Sequence, residues 1–191
     1  MIVDDMTIRK SEYAIDPFFI NRWSPRAFSA EPINDTDLLA IIEAAHWAPS
    51  CFNEQPWFFH IAKTLDARQL FLNFLTESNR IWAKNAPVLI ALASEKLFSK
   101  NAKQNRWHSF DCGTAWGFLA MEAKRRGYIT HAMGGFNQQL ASQTLKLSQN
   151  QQVETVIALG RHGDPSILPE DLQEREVPSL RKPLPEIMNI L

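Results

Sequence analysis

Hydrophobic and polar positions change their period several times along the chain, and each change marks an element. Leu38, Leu39, Ile41, Ile42 and Ala45 recur at helical spacing, predicting a helix that Asn34 caps and Pro49 stops. The run WFFHIA, residues 57–62, predicts a strand, and residues 65–75 an amphipathic helix built on Leu65, Phe71 and Leu72. PVLIALA, residues 87–93, is a short continuous apolar run and predicts a buried strand. Residues 106–126 are long enough only for a helix, with Gly127 as its stop. Gly113 and Gly117 lie four apart on one face of it, where a neighbouring helix can approach closely. Strand-like residues 128–132, a polar helix over residues 137–147 and a strand over residues 153–160 follow.

Upstream, Asp16 and Pro17 form a helix-start signal ahead of Phe18, Phe19 and Ile20. Pro25 disfavours a helical Ser24, so NRWSPRAF, residues 21–28, is expected to be extended. Residues 161–191 hold five of the 11 prolines and predict an extended C-terminal arm. That arm ends in IMNIL, apolar residues that want a surface such as a second subunit. No repeat or second domain interrupts the pattern, so residues 1–191 are expected to form one α+β domain.

Composition narrows the chemistry. The chain has 191 residues but only 7 glycines, about half the usual share. No G-x-G-x-x-G, Walker-type phosphate loop or G-x-S-x-G elbow is present. A formal net charge of −1 gives no argument for a nucleic-acid or membrane-surface partner. Two cysteines without a C-x-x-C motif suit a reduced cytoplasmic protein, and the N-terminus lacks the apolar stretch of a signal peptide. The five histidines show no metal-ligand spacing, so no metal site is expected. Six tryptophans and 12 phenylalanines exceed what a minimal core needs, leaving rings to cover a partner chain or a flat ligand.

Four segments could carry chemistry. In an extended Arg22-Trp23-Ser24-Pro25-Arg26, alternate residues share a face, so two guanidiniums flank a hydroxyl and suit a phosphate or a polar ring edge. The loop APSCFNEQPWFF offers Ser50, Asn53 and Gln55 between Pro49 and Pro56, enough polar groups for a heterocycle. In AMGGFN, Gly134 and Gly135 can take positive φ and let a ligand approach the backbone. In PSLRKPL, Arg181 and Lys182 can supply charge from a distance in sequence. Taken singly, each has an ordinary reading as well: solvated arginines, a helix-to-strand loop with Trp57 in the core, a plain turn, a solvated basic pair.

In this order the segments resemble the nitroreductase family of FMN-dependent oxidoreductases, from about Arg22 to about Ile187, with APS-x-x-N-x-QPW the most specific piece. The resemblance implies a central, mostly antiparallel sheet flanked by helices, in an intertwined homodimer with two FMN molecules at its interface. It implies flavin contacts from Arg22, Trp23, Ser24, Arg26, Asn79, Met133, Gly134 and Gly135, with the Gly135 N–H directed to flavin N5. Pro49, Ser50, Cys51 and Asn53 would come from the other subunit, and Arg181 would bind phosphate. The implied reaction is ping-pong transfer from NAD(P)H through FMN to a nitroaromatic, quinone or similar small electron acceptor, with no catalytic side chain. Two alternatives stay open: a flavin-dependent dehydrogenase that does not use NAD(P)H, and a non-catalytic flavin-binding protein. Two positions depart from the pattern. Cys51 stands where many members carry a second serine, and Ser179 where some branches carry a lysine.

Overall fold

Four strands pair into one sheet: β1 (Trp57–Ala62), β2 (Val88–Glu95), β3 (Ile129–Met133) and β4 (Gln151–Gly160). Their order is β1-β2-β4-β3, and every neighbouring pair is antiparallel. This computed structural model describes residues 9–191; the N-terminal sequence expectation falls largely on residues outside that range. β2 is central because both of its faces are covered, as its unbroken apolar run requires. Val88, Ile90 and Leu92 enter one hydrophobic cluster, while Leu89 and Ala91 enter the other. The alternation follows directly from the two-residue period of a strand.

The β2–β4 register slips between Leu92 and Ala93, which pair with Thr155 and Val153. Glu154 is therefore the extra residue of a bulge, and the side chains beyond it change faces. The Glu154 carboxylate accepts from Ser94 Oγ at 2.5 Å and Ser109 Oγ at 2.9 Å. A bulge thus lets an acidic side chain collect donors at the end of the sheet.

On one face of the sheet lie α2 (Asp35–His46) and α5 (His108–Arg125). Asn34 caps α2 by accepting from the Asp37 N–H at 2.8 Å, as expected. α2 ends at His46 with Trp47 as its cap, ahead of Pro49. Cys112, Ala115, Leu119 and Ala123 form the buried stripe of α5, and Gly127 closes the turn after it at φ +78°. On its other side, Gly113 and Gly117 have nothing within 4 Å of a built Cβ, so no other helix among the described residues packs on them. Phe110 and Phe118 are exposed on the same helix.

The second face carries α3 (Leu65–Phe74), α4 (Glu77–Ala83) and α6 (Gln138–Thr144). α4 was not expected from the sequence. Its segment ESNRIWA is short, and Ser and Asn are indifferent helix formers. Tertiary packing decides it: Trp82 is buried against Phe28, ring centroids 6.1 Å apart, and against His131 at 4.6 Å. A one-turn α1 (Pro17–Ile20), capped by Asp16, precedes residues 22–28, and Asn21, expected to be extended, instead takes helical φ/ψ as its C-cap.

After β4 the chain turns back on residues 27–29. Gly163 N–H donates to the Ala27 carbonyl at 2.8 Å and Ser29 N–H to the Arg161 carbonyl at 2.9 Å. Leu168, Leu172 on the one-turn α7 (Glu170–Gln173) and Glu176 are buried. From Val177 onward most large apolar side chains, including Leu180, Ile187 and Ile190, are exposed, and Leu184 is half-buried. No helix among the described residues is long and apolar enough to cross a membrane.

Candidate functional site

Arg22 and Arg181, far apart in sequence, come close enough in the fold for Arg22 to feel the charge of Arg181. Burial lowers the Arg22 pKa first, and the positive charges of Arg181 and Arg9 lower it further. Arg22 Nη1 donates to Ser24 Oγ at 3.3 Å, so two of the three side chains expected on one face meet. Among the described residues neither Arg22 nor Arg181 has a carboxylate ion-pair partner. Arg181 Nη1 instead lies 3.2 Å from Ser179 Oγ. A cavity of about 940 Å³ is lined by Arg22 and Ser24 with Phe18, Trp116, Phe118 and Ala132, while Arg181 lines a second cavity together with Arg9.

Arg26 keeps different company. Burial lowers its pKa, followed by the charge of Arg175, while Glu176 opposes them. Glu176, with its side chain 1% exposed, accepts from the Arg26 and Ala27 N–H groups at 2.7 Å each. Desolvation pushes the Glu176 pKa up, but His162 and these two N–H groups win and hold it below the ordinary glutamate range. His131 on β3 donates through Nδ1 to the Pro25 carbonyl at 3.0 Å; a carbonyl only accepts, so Nδ1 carries the hydrogen. Trp23 packs edge-on against His162, centroids 5.9 Å apart. The extended segment is therefore held by β3 and by the chain after β4, and proline is only part of the reason for its shape.

A second group forms where β3 ends. Met133 is buried, with its carbonyl accepting from Thr155 Oγ1 at 3.0 Å. The Gly135 carbonyl accepts three hydrogen bonds: from Thr76 N–H at 3.0 Å, Thr76 Oγ1 at 3.1 Å and Asn79 Nδ2 at 3.0 Å. The expectation of positive φ at Gly134 and Gly135 is corrected, since Gly127 is the glycine of the described residues that adopts it. Glycine is needed at 135 for space: a Cβ there would lie 2.6 Å from Asn79 Nδ2 and 2.8 Å from Thr76 Oγ1. Gly134 is open, with nothing within 4 Å. The Gly135 N–H finds no acceptor among the described residues.

The third group is the loop after α2. Phe52, Asn53 and Gln55 have φ of 54°, 58° and 51°, a left-handed cluster that costs free energy in non-glycine residues. Ser50 Oγ accepts from Gln55 N–H at 3.0 Å, and Cys51 N–H donates to Asp111 Oδ2 at 3.2 Å. Asp111 is buried on α5, and burial raises its pKa. Pro49 and Asn53 are exposed, and Cys51 is half-buried. None of these loop residues lines the cavity beside Arg22.

Thr76, Asp111, His131 and Glu176 thus organise the three groups, yet no local pattern marks them. Their partners lie far away in sequence.

Residues 20–82 and 67–161 match the model of the nitroreductase family. The chain belongs to this family. A solved structure described as an oxidoreductase containing FMN is similar to this nitroreductase family chain at a TM-score of 0.91. It shares 45% identity, over 95% of this chain and 93% of that one. An Archaeoglobus fulgidus protein named for a provisional NADH dehydrogenase/NAD(P)H nitroreductase activity is 27% identical over 73% of this chain and 80% of its own length. A Streptomyces coelicolor protein with the same provisional name is 33% identical over 39% of this chain. The matched region covers only 37–43% of the length of this and two further Streptomyces relatives.

Proposed function

We propose that the protein is an FMN-dependent oxidoreductase that takes electrons from NAD(P)H and passes them to a small nitroaromatic or quinone-like acceptor. The observation that carries this reading is Arg22, bonded to Ser24 and within reach of the charge of Arg181, with no carboxylate ion-pair partner for either arginine among the described residues. Like charges repel, here between a half-buried Arg22 and an exposed Arg181, and a phosphate dianion is the natural group to relieve them. The FMN content of the 45%-identical structure supports the same reading.

The residues present fit that cofactor. Arg22 and Arg181 would hold the phosphate, and Ser24, oriented by Arg22, would meet a polar ring edge. The Gly135 N–H is an unspent donor, among the described residues, on a turn that Thr76 and Asn79 hold through the Gly135 carbonyl. FMN, when bound, supplies the hydride chemistry itself. The protein's part is to bind, orient and shield, and no acid–base side chain is assigned to the reaction.

The same reading pairs the chain with a second copy. Ser50, Cys51 and Asn53 lie off the cavity of their own chain and would serve the site of the partner. The open face of α5, with Gly113, Gly117, Phe110 and Phe118, would be covered there.

The purified protein should show a flavin absorbance spectrum that bleaches when NADH or NADPH is added without oxygen, and that recovers on adding menadione or a nitroaromatic. Protein that neither carries FMN nor takes it up would refute the proposal. Bound flavin untouched by both nicotinamides would refute the NAD(P)H step alone.

A further inference from the structure

Arg9 lies outside the segments that carry the resemblance, yet it touches two of them. Its Nε donates to the Ser179 carbonyl at 2.8 Å, and its Nη1 donates to the carbonyls of Ile20 at 2.9 Å and Arg22 at 3.0 Å. One guanidinium therefore joins the end of α1, the backbone of Arg22 and the C-terminal arm two residues before Arg181.

The arm has little else of this kind to hold it. Beyond Val177, Pro178 is buried and Leu184 half-buried, but Leu180, Ile187, Met188, Ile190 and Leu191 are exposed. Arg181, Glu186, Ile187 and Met188 donate to neighbours within the arm itself. Arg22 and Arg181 also repel each other, so something must oppose their separation. Three directional hydrogen bonds from a planar fork do this, whereas a lysine ammonium lacks the geometry to serve the same acceptors from one rigid group. Because these donors go to neutral carbonyls, they neutralise none of the positive charge. Arg9 adds to it, and its charge is one cause of the lowered Arg22 pKa.

We propose that Arg9 is a positioning residue: a staple that sets Arg22 and Arg181 at the spacing that grips a phosphate, making the site prefer FMN over riboflavin. The inference rests on the flavin reading above, and it concerns only how this chain builds the phosphate end of that site. Arg9 holds the backbones of the cations and stands behind them.

The test compares wild type, Arg9→Ala and Arg9→Lys by titration with FMN and with riboflavin, which has the same ring and no phosphate. Hydrogen–deuterium exchange over residues 177–184 is measured in parallel on the flavin-free protein. Both variants should lose about tenfold in FMN affinity, the scale of charge-assisted hydrogen bonds, and keep riboflavin affinity. Exchange over residues 177–184 should speed up in both. Wild-type FMN affinity in Arg9→Ala, equal losses for the two flavins, or full rescue by Arg9→Lys would each overturn the staple. If wild type binds no FMN, the proposed function fails. Exchange then still decides the staple's structural part, which unchanged rates in Arg9→Ala would overturn.

Discussion

The side-chain amide of Asn79 donates to the carbonyl of Gly135 at 3.0 Å, joining α4 to the turn after β3. Thr76 donates twice to the same oxygen, so the turn is fixed by three donors from one short segment. That proximity leaves no room for a side chain at 135. Gly135→Ala should cost about 1–3 kcal/mol through the displaced Asn79 and Thr76 side chains, and should weaken FMN binding. Gly134→Ala, one residue away in open space, should stay within about 0.5 kcal/mol of wild type. Thermal melts and flavin titrations of the two variants check the contrast, and equal behaviour would refute it.

The double variant Arg22→Ala/Arg181→Ala should lose FMN while keeping its fold, since it removes a repulsion along with two binding groups. Wild-type FMN affinity should also fall as salt is raised, because the attraction is partly screened. Riboflavin affinity should show little salt dependence. Circular dichroism with flavin titration separates lost binding from lost structure, and undiminished FMN affinity in the double variant would sink the phosphate assignment.

Glu176 satisfies two backbone N–H groups that no other acceptor serves. Glu176→Ala leaves them unpaired next to the buried Ala27 and should cost about 2–4 kcal/mol. Glu176→Gln keeps a carbonyl acceptor and should cost less. Urea unfolding of both variants gives the comparison, and a negligible loss in the alanine variant would mean that solvent replaces the carboxylate freely.

Burial lowers the pKa of His131 below the ordinary value of 6.5. A depressed histidine contributes stability that is present above 6.5 and lost as the pH falls through the folded value. His60, also depressed by burial, adds to the same window. Glu176, a depressed carboxylate, acts only at pH lower than the ordinary 4.5. His131→Gln keeps a donor for Pro25 without titrating, so its stability should fall less than that of wild type between pH 6.5 and 4.5. Parallel slopes in urea unfolding across that interval would show that His131 does not titrate there.

The open helix face offers a test of the second copy. A Cβ at position 117 meets nothing within 4 Å among the described residues, so Gly117→Arg should fold normally. If the wild type sediments as the proposed dimer, the variant should shift to the coefficient of a monomer. An unchanged coefficient would place the interface elsewhere.

Elements whose cause lies in neighbouring residues were legible in the sequence. The apolar run of β2, the Asn34 cap of α2, the WFFHIA strand and the stop at Gly127 each depend on side-chain period or on one backbone preference. The segments carrying Arg22, Ser24 and Gly135 were legible too, from residue type and order. Tertiary structure alone decided α4, whose weak helix formers are overruled by the burial of Trp82. It also decided why position 135 must be glycine, because the reason is an approach by Asn79 and no feature of the turn itself. Glu176 beneath Arg26 and Ala27, His131 on Pro25 and Arg9 across Arg22 and Ser179 were decided there as well. A hydrogen bond between residues more than 100 positions apart leaves no periodic trace in a sequence, since only the closed chain brings donor and acceptor together.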